Sequence, residues 1–405
     1  MTEPVLHARR DFFLAAFTLL VTMTGTTLPT PLYTIYQQQL GFGETWITIV
    51  FAIYALGVTA ALLAVGSWSD QLGRRPILFA GLGIGALSTV IFLCTDSISG
   101  LLIGRLVSGV SAGIMTGTGT VAILELAPKA WRKSATLAAT AANMFALGFG
   151  PLLAGITSEY LPYPLKLAFG LHLLLLLIAV PCVYLIRETV KRADTLELKI
   201  QKPSVPASVR ALFWPAAIAG LAAFSVAGLF TSMVPSIMHQ LMHQTHGVVI
   251  GAVICSLFVA SILGQASLQL LPKPWHMTLG CIGLMAGMVA LGFSIATEQM
   301  PLLLIASLVA GIGHGMVFRA GMAAVTTASP PDQKAAVTSA LFIMFYIGIS
   351  VPVIAVGISV HAFSLQHVGE FFASVVAAIA LLALVGMKWA EARHAAATAT
   401  EAQRS

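Results

Sequence analysis

Long apolar runs separated by short polar breaks fill this chain from end to end. A bilayer core needs about 20 mostly apolar residues per helix. That ruler marks twelve stretches, at roughly 12–36, 45–68, 75–94, 99–126, 134–157, 165–187, 211–237, 247–271, 276–296, 301–328, 335–360 and 369–390. The strict alternation of a membrane barrel is absent. The first stretch is too long for a signal peptide and carries Thr22, Thr24, Thr26 and Thr27 with no cleavage-like site, so it is expected to stay in the protein. The pattern predicts an all-α integral membrane protein with 12 transmembrane helices in two pseudo-symmetric six-helix bundles. A polar, basic stretch holding Pro203 and Pro206 divides them. It suggests a first bundle over 1–187, a cytoplasmic linker over 188–210, a second bundle over 211–390 and a tail over 391–405 expected to fray.

Composition narrows the function class. Of 405 residues, 58% are hydrophobic and 9% charged, whereas a soluble domain carries roughly 25% charged residues. So few charges cannot cover a water-exposed surface, which excludes a soluble enzyme, a nucleic-acid binder and a disordered chain. The net charge of +6 has a topological reading. With the N-terminus in the cytoplasm, 18 of the 21 lysines and arginines fall in cytoplasmic loops and ends, from Arg9 and Arg10 to Arg404. Lys166 falls near the outer face, and Arg105 and Arg319 fall inside helices. Both termini are therefore expected in the cytoplasm. Cys94, Cys182, Cys255 and Cys281 are too scattered for a disulfide framework or a metal cluster, and nothing suggests a cofactor.

The two halves are related. Leu106-Val107-Ser108-Gly109-Val110-Ser111-Ala112-Gly113 matches Leu308-Val309-Ala310-Gly311-Ile312-Gly313-His314-Gly315 at an offset of 202. In the same register Gly119 falls on Gly321 and Pro128 on Pro330, so helices 4 and 10 are counterparts. Bundles built by such repeats place a substrate site near the midplane between them.

The loop after helix 2 reads Gly66-Ser67-Trp68-Ser69-Asp70-Gln71-Leu72-Gly73-Arg74-Arg75-Pro76. It resembles the signature Gly-x-Leu-Ala-Asp-Arg-x-Gly-Arg-Arg of the major facilitator superfamily. Asp70 can accept backbone hydrogen bonds, Gly73 permits a tight turn, and Arg74 can pair with acids or lipid phosphates. The resemblance implies that Asp70, Gly73 and Arg74 form a cytoplasmic gate latched when the transporter faces outward. The corresponding loop of the second half, Pro272-Lys273-Pro274-Trp275-His276, lacks the acid, so the latch is expected on one side only. Helix 5 contains Gly148-Phe149-Gly150-Pro151-Leu152-Leu153-Ala154-Gly155, which resembles the Gly-Pro-x-x-Gly-Gly signature of the drug and metabolite:proton antiporter branch. Gly150, Pro151 and Gly155 also suit plain close packing of helices. Glu125-Leu126-Ala127-Pro128 with Arg132 is similar to another cytoplasmic pattern of the superfamily.

Ionisable residues within spans are costly and therefore functional candidates. Arg105, in Arg105-x-x-x-Gly109-x-x-x-Gly113, resembles the family's helix-4 arginine motif tied to proton coupling; satisfying carbonyls of a neighbouring helix is the plainer role. His314 lies mid-helix, where an imidazole with an ordinary pKa of about 6.5 suits proton exchange. Arg319 lies five residues on and would contact substrate, snorkel or pair with a loop acid. His172 reads as a structural histidine. No Asp or Glu falls mid-span, so a cavity holding these cations would repel cations and favour anions, with neutral amphipaths also admitted. Tyr33, Tyr54, Asn143, Phe230, Phe318, Phe345 and Tyr346 are candidate walls.

The resemblance implies a transporter rather than an enzyme: proton-coupled efflux of a small organic anionic or neutral compound by alternating access, in the inner membrane. The alternatives are a proton-coupled importer of an organic acid and, less in keeping with the short linker and tail, a membrane sensor. Expected partners are the small-molecule substrate, protons and the lipid bilayer, with no nucleic acid and a monomeric state.

Overall fold

In hydrocarbon a backbone amide has no water to bond, and a helix satisfies its own backbone within one segment. The computed structural model describes residues 3–65, 68–193, 195–196, 200 and 202–402, and the described residues contain helices and no strand. Gly66, Ser67, Lys199 and Arg404, drawn on above, lie outside the described residues. Twelve segments cross the membrane: α1 (His7–Leu40), α2 (Glu44–Val65), α3 (Arg74–Cys94), α4 (Ile98–Leu126), α5 (Ser134–Tyr160), α6 (Pro164–Leu185), α7 (Arg210–Ser232), α8 (Gly247–Ser267), α9 (Lys273–Thr297), α10 (Met300–Ala328), α11 (Lys334–Ser359) and α12 (Leu365–Trp389). The expected stretches match these in number and order. The helix of α12 runs on to Ala402. At the other end, charged Asp11 is taken into α1 because its carboxylate meets Arg10 at 3.0 Å and the Arg187 amide at 3.3 Å.

Proline breaks the regular helix where its missing N–H and bulky ring cannot be accommodated. In α1 the helix stops at Thr27 and resumes at Tyr33 after a tight turn over Thr30–Leu32, beside Pro29 and Pro31. In α7 the same interruption falls at Met233, before Pro235, and a second piece covers Val234–Gln240. A widened π turn over Met115–Gly119 interrupts α4, while its counterpart α10 is continuous. Such turns recur at functional sites.

Each half has its own apolar core. Leu19, Leu82, Met115 and Leu176 belong to one, and Phe213, Leu257, Leu284 and Leu341 to the other. Lipid offers no hydrophobic drive between helices, so close backbone approach must hold them. Gly109 and Gly113 of α4 press on the carbonyls of Tyr54 and Val58 in α2. Gly311 and Gly315 of α10 press on those of Leu257 and Ser261 in α8. The repeat seen along the chain is thus one helix crossing built twice. Between the halves, α5 packs on α8 and α2 on α11.

Candidate functional site

A cavity lies between the halves, with walls from α1, α2, α4 and α5 on one side and α7, α8, α10 and α11 on the other. Of the residues predicted from sequence, Arg105, Asn143, His314 and Tyr346 line it, joined by Tyr54 and Phe318. Tyr33 packs behind this wall in the first half, fully buried, with its hydroxyl unpartnered. Phe230 and Phe345 are buried in the second-half core instead, Phe345 stacking on Phe224 at 4.6 Å.

Arg105 is 1% exposed. An ion so deep is tolerable only where dipoles replace its water. Its Nη1 donates to the Thr26 carbonyl and its Nε, at 3.4 Å, to that of Val50. The guanidinium also lies over the rings of Phe51 and Tyr54, 5.4 and 4.7 Å from their centroids. Among the described residues no carboxylate lines the cavity, so the charge has no counter-ion there. At the counterpart position Ser307 reaches the equivalent carbonyl, Val253, at 3.0 Å. A serine suffices for that structural contact, so the arginine brings a charge that the helix crossing does not need.

His314 is buried, with Ser261 Oγ 2.9 Å from Nδ1 and its ring stacked on Phe318 at 6.4 Å. Its other ring nitrogen has no protein partner among the described residues. Arg319 turns from the cavity and donates to the Gln265 carbonyl at 2.7 Å. His172 is enclosed in the first half, where Nε2 meets the Val21 carbonyl at 3.0 Å and Nδ1 meets Thr89 Oγ1 at 2.9 Å. A carbonyl only accepts, so Nε2 carries the hydrogen.

Asp70, Gly73 and Arg74 come together at the membrane face that carries the N-terminus. Arg74 meets Asp70 at 2.6 Å and grips Glu125 through two bonds of 2.8 and 3.1 Å. Glu188 accepts from the Arg74 and Arg75 amides at 2.8 and 2.9 Å. That contact uses the bare Cα of Gly73, whose φ of 101° no side-chain-bearing residue adopts readily. All of these groups belong to the first half or the start of the linker. Glu125 is legible in the sequence as part of the Glu125-Leu126-Ala127-Pro128 pattern and Glu188 only as a charge at a helix end, and neither is singled out there as a partner of Arg74.

The helix-5 motif stands at the junction of the halves. Pro151 has no N–H for the Leu147 carbonyl, and Thr27 Oγ1 donates to that freed carbonyl at 2.8 Å. Pro352 of α11 repeats the device, with Ser225 bonding the Gly348 carbonyl at 3.0 Å. Gly150 fits against α1 at Thr24, and Gly155 fits against Gly247 of α8. Beyond these contacts, at the face distal to the N-terminus, polar pairs seal the halves. Glu44 accepts from Ser236 and Gln240 at 2.9 and 2.7 Å, Thr45 donates to the Gly357 carbonyl at 2.5 Å, and Glu159 meets His246 at 2.9 Å. Cavity residues on the sealed side, such as Thr26, Phe51 and Thr231, are buried, whereas Thr116, Asn143 and Phe342 are partly exposed. The cavity is closed distally and faces the N-terminal side.

The Major Facilitator Superfamily model matches residues 15–352. An uncharacterized MFS-type transporter of Methanocaldococcus jannaschii is 28% identical over 160 residues, which are 40% of this chain and 41% of that protein. MdtD of Salmonella newport, named for multidrug resistance, is 25% identical over 160 residues, 40% of this chain and 34% of that one. The matched stretch is thus less than half the length of each relative. The crystal structure of the human organic anion transporter MFSD10 (TETRAN) shares the fold, with a TM-score of 0.69 at 18% identity, covering 94% of this chain and 99% of that one. A model match reaching from α1 to α11 takes in both halves and the junction between them, and the chain belongs to the Major Facilitator Superfamily.

Proposed function

We propose that this protein is a secondary transporter that exports a small organic compound, anionic or neutral, in exchange for protons. It alternates access between the two halves, in the inner membrane with both termini cytoplasmic. One observation carries the substrate side of this reading: a fully buried Arg105, held by carbonyl dipoles, bounds a cavity without a carboxylate. Such a site repels cations and accepts anions or neutral molecules. The positive-inside bias supports a cytoplasmic position for the open side of the cavity, where an exporter loads. His314, with one ring nitrogen unpartnered at the cavity, is the proton-exchanging group. The name of MFSD10, an organic anion transporter, is in keeping with an organic anionic substrate, and that of MdtD, named for multidrug resistance, with a small organic one. Asp70 and Arg74 latch the N-terminal face in the opposite state, once the second half swings onto them.

A second reading is favoured by one specific feature. His314 and Arg105 line the same cavity, so protonating His314 draws an anion in rather than expelling it. That sign suits proton-linked uptake of an organic acid. Energised inside-out vesicles separate the two readings. Export by antiport makes the lumen more alkaline when substrate is added, and Arg105→Ala abolishes the response. Substrate uptake into right-side-out vesicles, driven by an inward proton gradient, would overturn export in favour of import.

A further inference from the structure

The two walls of the central cavity differ in kind. The first-half wall carries Arg105 with Thr26, Thr27, Thr116 and Asn143, and its two rings, Phe51 and Tyr54, already lie against the guanidinium. The second-half wall is mostly rings, with His314 and Thr231 as its other polar groups. Phe224 lies 5.9 Å from Phe318 and 6.2 Å from Tyr346, and Phe342 stacks on Tyr346 at 6.4 Å. Transport through a midplane cavity does not require this division. An apolar or evenly polar molecule would gain nothing from it, whereas a ligand with a charged head and a ring body fits it in one orientation.

The head is defined by Arg105. A guanidinium has five N–H groups, and backbone carbonyls take two of them here, through Nε and Nη1. Among the described residues the remaining three meet no acceptor, and a carboxylate meets such a fork with two parallel bonds. Asn143 lines the same cavity, and its neutral amide sets no negative charge against a carboxylate there. The body is defined by rings on α7, α10 and α11, which favour offset or edge contact with another aromatic ring.

We infer that the ligand class of this cavity is an aromatic carboxylate, its carboxylate on Arg105 and its ring against Phe224, Phe318, Phe342 and Tyr346. This rests on the reading of the cavity as the transport site, and it narrows anionic or neutral to one chemistry. A ligand so placed bridges the two halves, head on one and body on the other.

The test uses the full chain, purified in detergent and titrated calorimetrically with four probes. These are 2-naphthoate, cyclohexanecarboxylate (charge without aromatic ring), 2-naphthylmethanol (ring without charge) and 2-naphthylmethyltrimethylammonium (ring with the opposite charge). Naphthoate is expected to bind at least about tenfold more tightly than each of the others. Equal or tighter binding of any of them overturns the assignment. Because Arg105→Lys risks misfolding, Asn143→Asp is the second variant. It keeps the side-chain shape but places a competing carboxylate on the same wall, and naphthoate affinity should fall by at least about tenfold. Unchanged affinity in a folded Asn143→Asp protein also overturns it. Counterflow of naphthoate in proteoliposomes separates the two levels. Binding in the expected order without counterflow refutes the transport reading and leaves the ligand class standing. Export of another compound, with no naphthoate binding, refutes the class and leaves transport standing.

Discussion

Replacing Gly251 with Ala tests whether the distal contacts set the conformational balance. Gly251 of α8 lies where the second half meets α5 of the first. A methyl there falls 2.5 Å from the Pro151 carbonyl oxygen and 2.9 Å from the Leu152 Cα, and both neighbours are backbone. Ordinary contact begins near 3.4 Å, so the helices must part by roughly 0.5–1 Å, at an overpacking cost of about 1–3 kcal/mol. Alanine recovers up to about 1 kcal/mol of helix propensity, but in every conformation alike. The clash exists only while the distal side is shut. The balance should therefore move toward the distal-open state by about 5- to 150-fold. Gly311→Ala is the control, because its methyl meets Leu257 and Ala260 within the second half in either state. The readout is a pulsed electron–electron distance between spin labels at Tyr160→Cys and Phe363→Cys, in protein whose four native cysteines are serine. Both positions are exposed, at 69% and 65%, and lie on distal ends of different halves. Gly251→Ala should add a longer distance; Gly311→Ala should lower the melting temperature without adding one. An unchanged distribution in a folded Gly251→Ala protein refutes the reasoning.

Four further outcomes follow from the geometry. Glu125→Gln should cost about 1–3 kcal/mol, since it strips the nearly buried Arg74 of its two-bond partner. Asp70→Asn should cost about 0–1 kcal/mol, because the Asp70 side chain is 63% exposed, and melting in detergent that ranks the two in reverse order would contradict this. Gly73→Ala forces a φ of 101° and brings a methyl within 2.8 Å of Glu188 Oε2; a loss of about 1–3 kcal/mol is expected in the same melt. His314→Gln should leave substrate counterflow intact while removing the response of exchange to an imposed pH gradient. Full proton coupling in that variant would remove His314 from the mechanism.

The amino-acid sequence by itself determined the number of spans, their order, the duplicated halves and the family loop around Asp70. These features are local or repeated along the chain: twelve apolar runs long enough for hydrocarbon, a register shared by α4 and α10, and a short motif. The rotation of each helix was not legible. Lipid and protein core are both apolar, so a membrane helix carries little amphipathic signal to say which side faces inward. His314 reads as the proton exchanger at the cavity, while for Arg319 substrate contact, snorkelling and pairing with a loop acid stay open; packing turns Arg319 to the Gln265 carbonyl and leaves His314 on the cavity. Tyr33 and Phe345 read as walls and lie behind them, while Thr27, Ser225 and Ser261, which the sequence does not single out for this role, hold the proline-freed carbonyls and the imidazole. Glu44 gave no hint of its partners Ser236 and Gln240, 192 and 196 residues away. Only the tertiary structure brings such groups within hydrogen-bond reach, because contacts between helices depend on axial rotation and crossing, which hydrophobicity along one helix does not record.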